Sequence, residues 1–375
     1  MGSKEQHWHV PALDGLRGIA VLVVILCHAP PTYQLHGGHI GVDLFFVLSG
    51  FLITSILLNE WRSTGRISIP HFYLRRACRL FPAAFSVLLF ATAAAPFIQP
   101  AEELHGRLKD ATAVLLYVFN WRLVDLYTSG VGYFHNHMLS HYWSLSVEEQ
   151  FYLVWPALLL LLLRLRAPRI AMIAFFAAGI IAPAAGRALL WEHGPSPEIY
   201  FRSDLRVDGL MWGAALAWLA HQNLIPANLE VRRYAGLVGF SALSLFLYLS
   251  QFDMVSDGSN YQWGFSLVGL LAALMIGSTI VAPHAIFSRL LGLGWLRWTG
   301  KISYGLYLWH VPAFVLTTNI PVSANTRMLI VFASTFGVAA LSFRYYETPF
   351  LKLKERFGYA PPKGYESRPR ASTYP

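Results

Sequence analysis

Apolar runs of about twenty residues recur along the whole chain, and no other feature restricts its fold so strongly. A helix rises about 1.5 Å per residue, so a run of that length matches the roughly 30 Å of a bilayer's hydrocarbon layer. Inside lipid every backbone N–H and C=O must bond within its own segment, which leaves helices as the form such runs take. The runs fall at 12–29, 40–58, 81–98, 143–163, 169–190, 207–221, 234–251, 262–282, 301–320 and 327–346. Composition agrees: 55% of the 375 residues are hydrophobic and 13% charged, against about 25% charged in soluble domains. The expectation is an all-α membrane protein with about ten transmembrane helices in one bundle. The piece 109–121 is too short to cross and reads as a re-entrant or interfacial helix between the third and fourth spans. Residues 1–350 form one membrane-embedded domain in this reading. Residues 351–375, with Pro361, Pro362, Pro369 and Pro375 among charges, read as a disordered tail. No small-residue cleavage site follows the first run, which is expected to be retained.

The net charge of +9 is placed in the links between runs rather than along a groove. Ten spans put both termini on one side. That side then holds 22 of the 29 Lys and Arg residues and the other side 7. Positive residues accumulate on the cytoplasmic side of membrane proteins, so cytoplasmic termini and a place in the cell membrane are expected. Nucleic acid is not an expected partner. Cys27 lies in a run and Cys78 in a basic link, so no disulfide is expected between them.

The informative residues are the polar ones within or beside the spans. In LDGLRGIAVLVVILCH (13–28), Arg17 and His28 lie eleven positions apart. Eleven helical steps return to nearly the same face, about 16 Å farther along the axis. An ionisable group in a span by default points into a bundle interior or wet cavity. The plainer reading is a snorkelling Arg17 and a helix-capping His28. Arg75, Arg76 and Arg79 begin the third span; they are either a positive-inside signal or a fork for phosphate oxygens, with Arg76 and Arg79 on one face. In HYWSLSVEEQFYLVWP (141–156), Ser146 and Glu149 fit a capping box, while Glu148 or Glu149 facing the bundle would hold a histidine's tautomer. Pro156 is expected to kink that helix. Asp43 is an N-cap or a partner for His28. Asp204, Arg206 and Asp208 either pair with one another or meet a substrate. Tyr304, Tyr307 and His310 share the ninth span, where tyrosines pack readily but a mid-bilayer histidine is harder to dismiss. Glu347 is expected in a structural ion pair. His135, His137 and His141 are loop histidines, and no metal site is expected from them.

Taken in order, R-x10-H at 17–28, GVDLFFVLSGFLI (41–53), RRACRLFP (75–82), WSLSVEEQFYLVWP (143–156), DLRVDGLMWG (204–213), ISYGLYLWH (302–310) and YYETP (345–349) resemble the acyltransferase-3 family of multi-pass membrane O-acyltransferases. The resemblance runs from Leu13 to Phe350. It implies transfer of an acyl group, often acetyl from acetyl-CoA, to a hydroxyl of a carbohydrate or glycosylated molecule. Some relatives carry a fused hydrolase-like domain, which is not expected here.

The resemblance sets Arg17, Arg76 and Arg79, with Arg75 beside them, to grip acyl-CoA from the cytoplasm as a co-substrate, with no tightly bound cofactor. His28 is then the general base, oriented by Glu149 or, less favoured, by Asp43 or Glu148; an acyl-histidine is the competing route. This scheme puts the arginines at inner depth, and His28, Asp43, Glu148 and Glu149 in the outer half. Trp143, Asp204, Arg206, Asp208, Tyr304 and His310 are assigned to the acceptor, a cell-surface glycan before a macrolide-type antibiotic or a lipo-oligosaccharide. The remaining partners are the lipid bilayer and, as one option, a second copy in a homodimer. The rivals from other classes are a glycan or lipid transporter, for which convincing inverted repeats are lacking, and a non-catalytic membrane partner.

Overall fold

A computed structural model describes residues 10–98, 104–130, 138–191, 196–226, 228–252 and 260–357. His135, His137 and residues 358–375 of the expected tail lie outside them, while residues 351–355 of that tail are helical. Among the described residues all regular structure is helical. In chain order the helices are α1 (Pro11–Cys27), α2 (Ile40–Thr64), α3 (Ile69–Ile98), α4 (Leu104–Leu115), α5 (Phe119–Thr128), α6 (Tyr142–Arg164), α7 (Arg169–Leu190), α8 (Pro197–Phe201), α9 (Ser203–His221), α10 (Leu229–Leu249), α11 (Phe265–Val281), α12 (Ile286–Leu291), α13 (Gly294–Lys301), α14 (Ser303–Thr317), α15 (Ala324–Leu341) and α16 (Thr348–Glu355). Wider π-type turns at Asn260–Gly264 and Ser342–Glu347 lead into α11 and α16.

Six segments are long and apolar enough to cross a membrane: α2, α3, α6, α7, Gln262–Val281 and Ala324–Leu353. The other four expected spans are also helices, built on α1, α9, α10 and α14. Of these, α1 and α14 have only 17 and 15 residues, α9 carries Asp204, Arg206 and Asp208, and α10 opens with Glu230, Arg232 and Arg233. The expected single helix at 109–121 is instead two, α4 and α5. Tyr117 stands between them in the left-handed region at φ +53°. That turn is held from outside, because Gln150 Nε2 donates to the Tyr117 carbonyl at 2.7 Å. Pro156 lies within α6, which continues through it.

Burial separates a centre from a rim. The most apolar stretch of α2 is 72% buried, whereas those of α7 and Ala324–Leu353 are 22% and 17% buried. The rim helices turn Ile170, Ile181, Leu189, Leu329 and Leu341 outward, as lipid contact requires of an apolar surface. At the centre, α2 packs directly on α9. A Cβ on Gly50 would lie 2.0 Å from the Leu210 carbonyl oxygen, and one on Gly213 would lie 2.0 Å from that of Val47. Only glycine allows backbones this close, the usual device where no water drives helices together. The free thiols of Cys27 and Cys78 are not joined.

Candidate active site

A cavity opens between α1, α2, α3, α6 and α14. Its charged wall is Arg17, Arg76, Arg79 and Glu148, and its other polar wall includes Ser49, Ser144, Tyr152, Tyr304 and Tyr307. Arg17 reaches Asp14 one turn earlier on α1, at 3.5 Å. Arg76 and Arg79 make no ion pair among the described residues, and the Nε of Arg76 is buried without a hydrogen-bond partner. The i, i+3 spacing therefore places two guanidinium groups on one face, as expected. Arg75 does not join them. One residue turns the helix by about 100°, and Arg75 pairs with buried Glu60 at 3.1 Å while donating to the Phe357 carbonyl at 2.9 Å. It ties α3 to α2 and to the segment after α16.

The expected sorting by depth needs correcting for Glu148, which shares the cavity wall with the arginines. Depth counted along each helix does not reveal this, because it leaves open how α3 and α6 are set against one another. Neither Glu148 nor Glu149 bonds to His28.

His28 ends α1. Its Nδ1 meets the Val24 carbonyl at 3.1 Å, so the capping role is real. A carbonyl only accepts, which puts the neutral ring's proton on Nδ1 and leaves a lone pair on Nε2. The residue is exposed. Beside it stands His310, fully buried, with ring centres 5.0 Å apart, and Phe314 at 6.2 Å. The Nδ1 of His310 bonds in the same way to the Tyr307 carbonyl, and its Nε2 is buried without a partner. His141, from the start of α6, lies 5.4 Å from His310, ring to ring. Three histidines thus stand together, and none of them is on the cavity wall. Tyr307 stands between the histidines and the cavity: it lines the cavity, its hydroxyl bonds to Ser144 and to the His141 carbonyl, and its ring is 5.4 Å from His310. Tyr304 lines the cavity lower down and donates to the Leu80 carbonyl at 3.0 Å.

Asp43 is not a partner of His28. It accepts from Arg206 Nη2 at 2.7 Å across the α2–α9 seam. Asp208 pairs with Arg187 at 2.8 Å and accepts from Ser266 at 2.6 Å. All four charges are at most 2% exposed. Two buried pairs therefore lock α2, α7, α9 and α11 at one end of the bundle. The Arg206 guanidinium lies 3.7 Å from the Phe265 ring centre and 5.5 Å from that of Trp143, which itself packs on Tyr200 and Phe201. Trp143, Arg206 and Asp208, expected to meet an acceptor, are spent on this frame. Asp204 is exposed and pairs with Arg202 at 2.8 Å. Glu347 accepts from Ser342 at 3.0 Å instead of forming the expected ion pair. No group of metal-binding side chains occurs among the described residues.

Sequence reasoning missed Arg187, Ser49 and Tyr152. Arg187 is a lone charge inside an apolar run, which is a signal in itself. Tyr152 follows Glu148 by four residues, the spacing at which helical side chains meet.

Among known proteins, the chain is 36% identical to the peptidoglycan O-acetyltransferase OatA of Listeria monocytogenes over 357 residues, covering 92% of this chain and 56% of that protein. It is 32% identical to the O-acetyltransferase OatA of Staphylococcus aureus over 363 residues, covering 95% of this chain and 59% of the relative. The chain thus spans less than three fifths of either relative's length. No solved structure matches it. The acyltransferase domain of the acyltransferase-3 family matches residues 10–346, and the chain belongs to that family of multi-pass membrane proteins.

Proposed function

We propose that this chain is a membrane O-acyltransferase that moves an acyl group, acetyl first among the candidates, from acyl-CoA to a hydroxyl of a cell-surface glycan. The observation that carries the reading is the cavity with Arg17, Arg76 and Arg79 on its wall, two of them without an ion-pair partner among the described residues, and with Tyr307 on that wall packed against the histidine pair. Guanidinium forks suit the phosphates of CoA, and the distance from Arg17 to His28, about 16 Å along α1, suits its pantetheine arm. The donor enters from the cytoplasm, where both termini of a ten-span chain lie, with α4 and α5 resting at the membrane interface. CoA comes and goes as a co-substrate.

Nε2 of His28 takes the proton of the acceptor hydroxyl as its oxygen attacks the thioester carbonyl. The carbon–sulfur bond breaks, and the imidazolium returns the proton to the leaving thiolate. Tyr307 must swing aside for the thioester to reach His28. The Val24 carbonyl holds the imidazole tautomer in the place expected for a carboxylate. His310 and Tyr304 line the route. The Listeria relative bears peptidoglycan in its name, and that glycan is the first acceptor to test.

The test is free thiol released from acetyl-CoA by the purified protein, with and without peptidoglycan fragments, followed by the mass of the acylated sugar. Acceptor-dependent release that disappears in His28→Ala is the expected result. Acylated fragments formed equally by His28→Ala would overturn the mechanism, and no transfer from any acyl-CoA would overturn the donor.

A further inference from the structure

The aromatic ring beneath Arg76 is not explained by the transfer chemistry. The Cζ of Arg76 lies 3.9 Å from the centre of the Tyr152 ring, so the guanidinium rests on the ring's face. The ring is itself pinned. The Tyr152 hydroxyl donates to Glu148 Oε2 at 3.2 Å and is hydrogen-bonded to Ser49. A carboxylate only accepts, so the tyrosine's single proton goes to Glu148 and the serine hydroxyl supplies the other bond. The chain of donors runs from Ser49 on α2, through Tyr152, to Glu148 one turn earlier on α6. Tyr152 is buried, and all four side chains line one cavity.

A guanidinium is flat, and its donors point outward in its own plane. Lying on a ring fixes that plane while leaving the donor edges free. Glu148 accepts from the ring's hydroxyl, which makes the ring richer in electrons and a better platform for a cation. We propose that Tyr152 is the positioning residue of an anion clamp, that Glu148 and Ser49 act through it, and that together they aim Arg76 at the phosphate oxygens of the donor. Glu148 then serves donor binding, not the proton transfer at His28. The inference rests on the reading of Arg76 as a phosphate ligand and adds the residues that orient it.

The test is titration of coenzyme A into the detergent-purified full chain by calorimetry, alongside thermal unfolding of each variant. Tyr152→Leu removes the platform and is expected to weaken binding about tenfold. Tyr152→Phe keeps the ring but loses both its hydrogen bonds, Glu148→Gln keeps an acceptor but not the charged one, and each is expected to weaken binding about threefold. Arg76→Ala combined with Tyr152→Leu is expected to bind within about twofold of Arg76→Ala alone, since both act through one guanidinium. A purely structural role predicts lower unfolding temperatures with unchanged affinity in the folded protein, and that result would overturn the proposal. So would full additivity in the double variant. Should Tyr152→Leu fail to fold, unchanged affinity in both Tyr152→Phe and Glu148→Gln would overturn it equally. If Arg76→Ala alone binds coenzyme A like the wild type, the donor reading itself falls. If Arg76→Ala weakens binding and the Tyr152 and Glu148 variants do not, only the clamp falls.

Discussion

His28 and His310 meet edge to face, with ring centres 5.0 Å apart and ring planes at 72°. Among the described residues neither ring bonds to a carboxylate; each directs Nδ1 at a backbone carbonyl of its own helix. The backbone therefore sets the tautomer of both rings, and a variant that removes a nearby acid should leave that tautomer in place.

Removal of the imidazole is expected to be far more damaging than removal of either α6 carboxylate. His28→Ala should lower kcat by about a hundredfold or more, the usual scale for a general base, with coenzyme A affinity unchanged. Glu149→Gln should leave kcat within a few fold of the wild type, because the Val24 carbonyl and not a carboxylate meets the His28 ring. Steady-state kinetics with acetyl-CoA varied at fixed acceptor separates the two.

The basic motif of α3 should divide by function. Arg79→Ala is expected to raise KM for acetyl-CoA about tenfold, as loss of one charged phosphate contact does. Arg75→Ala should leave KM alone and lower stability, since Arg75 is bonded to Glu60 and to the Phe357 carbonyl. Donor KM and thermal unfolding measured on both variants should show opposite patterns.

Breaking the Asp43–Arg206 pair should destabilise the protein without touching the chemistry directly. Asp43→Ala leaves a cation stranded in the interior, with an expected loss of about 3–5 kcal/mol. Replacing both partners, Asp43→Leu with Arg206→Met, should recover much of that loss. Fluorescence-detected unfolding in detergent reads both; a single variant as stable as the wild type would show that the pair is not a structural lock.

The seam between α2 and α9 should tolerate no side chain at residue 213. A Cβ at residue 213 would overlap the Val47 carbonyl oxygen, so Gly213→Val is expected to cost about 3 kcal/mol or more and to broaden the size-exclusion profile. The same change at Gly337, which has open space, should be mild.

The helical bundle was readable from hydropathy because lipid imposes one solution on a long apolar run. Each of the ten expected spans falls on a helix. The break at Tyr117 was not readable, since it depends on a bond from Gln150 on a distant helix. At the site, the faces of Arg76 and Arg79 followed from helical period. The partners of Asp43 and Glu148 did not, because depth alone cannot say which helices lie side by side. Asp43 meets Arg206, 163 positions away, and no spacing rule reaches that far.

The Tyr307 hydroxyl hangs on two hydrogen bonds between the arginine cavity and the histidines. Bonds of this kind contribute about 0.5–1.5 kcal/mol each on balance, so losing both lies within reach of thermal fluctuation. What separates the arginine cavity from the imidazole is accordingly one side chain on rotatable bonds rather than a stretch of backbone.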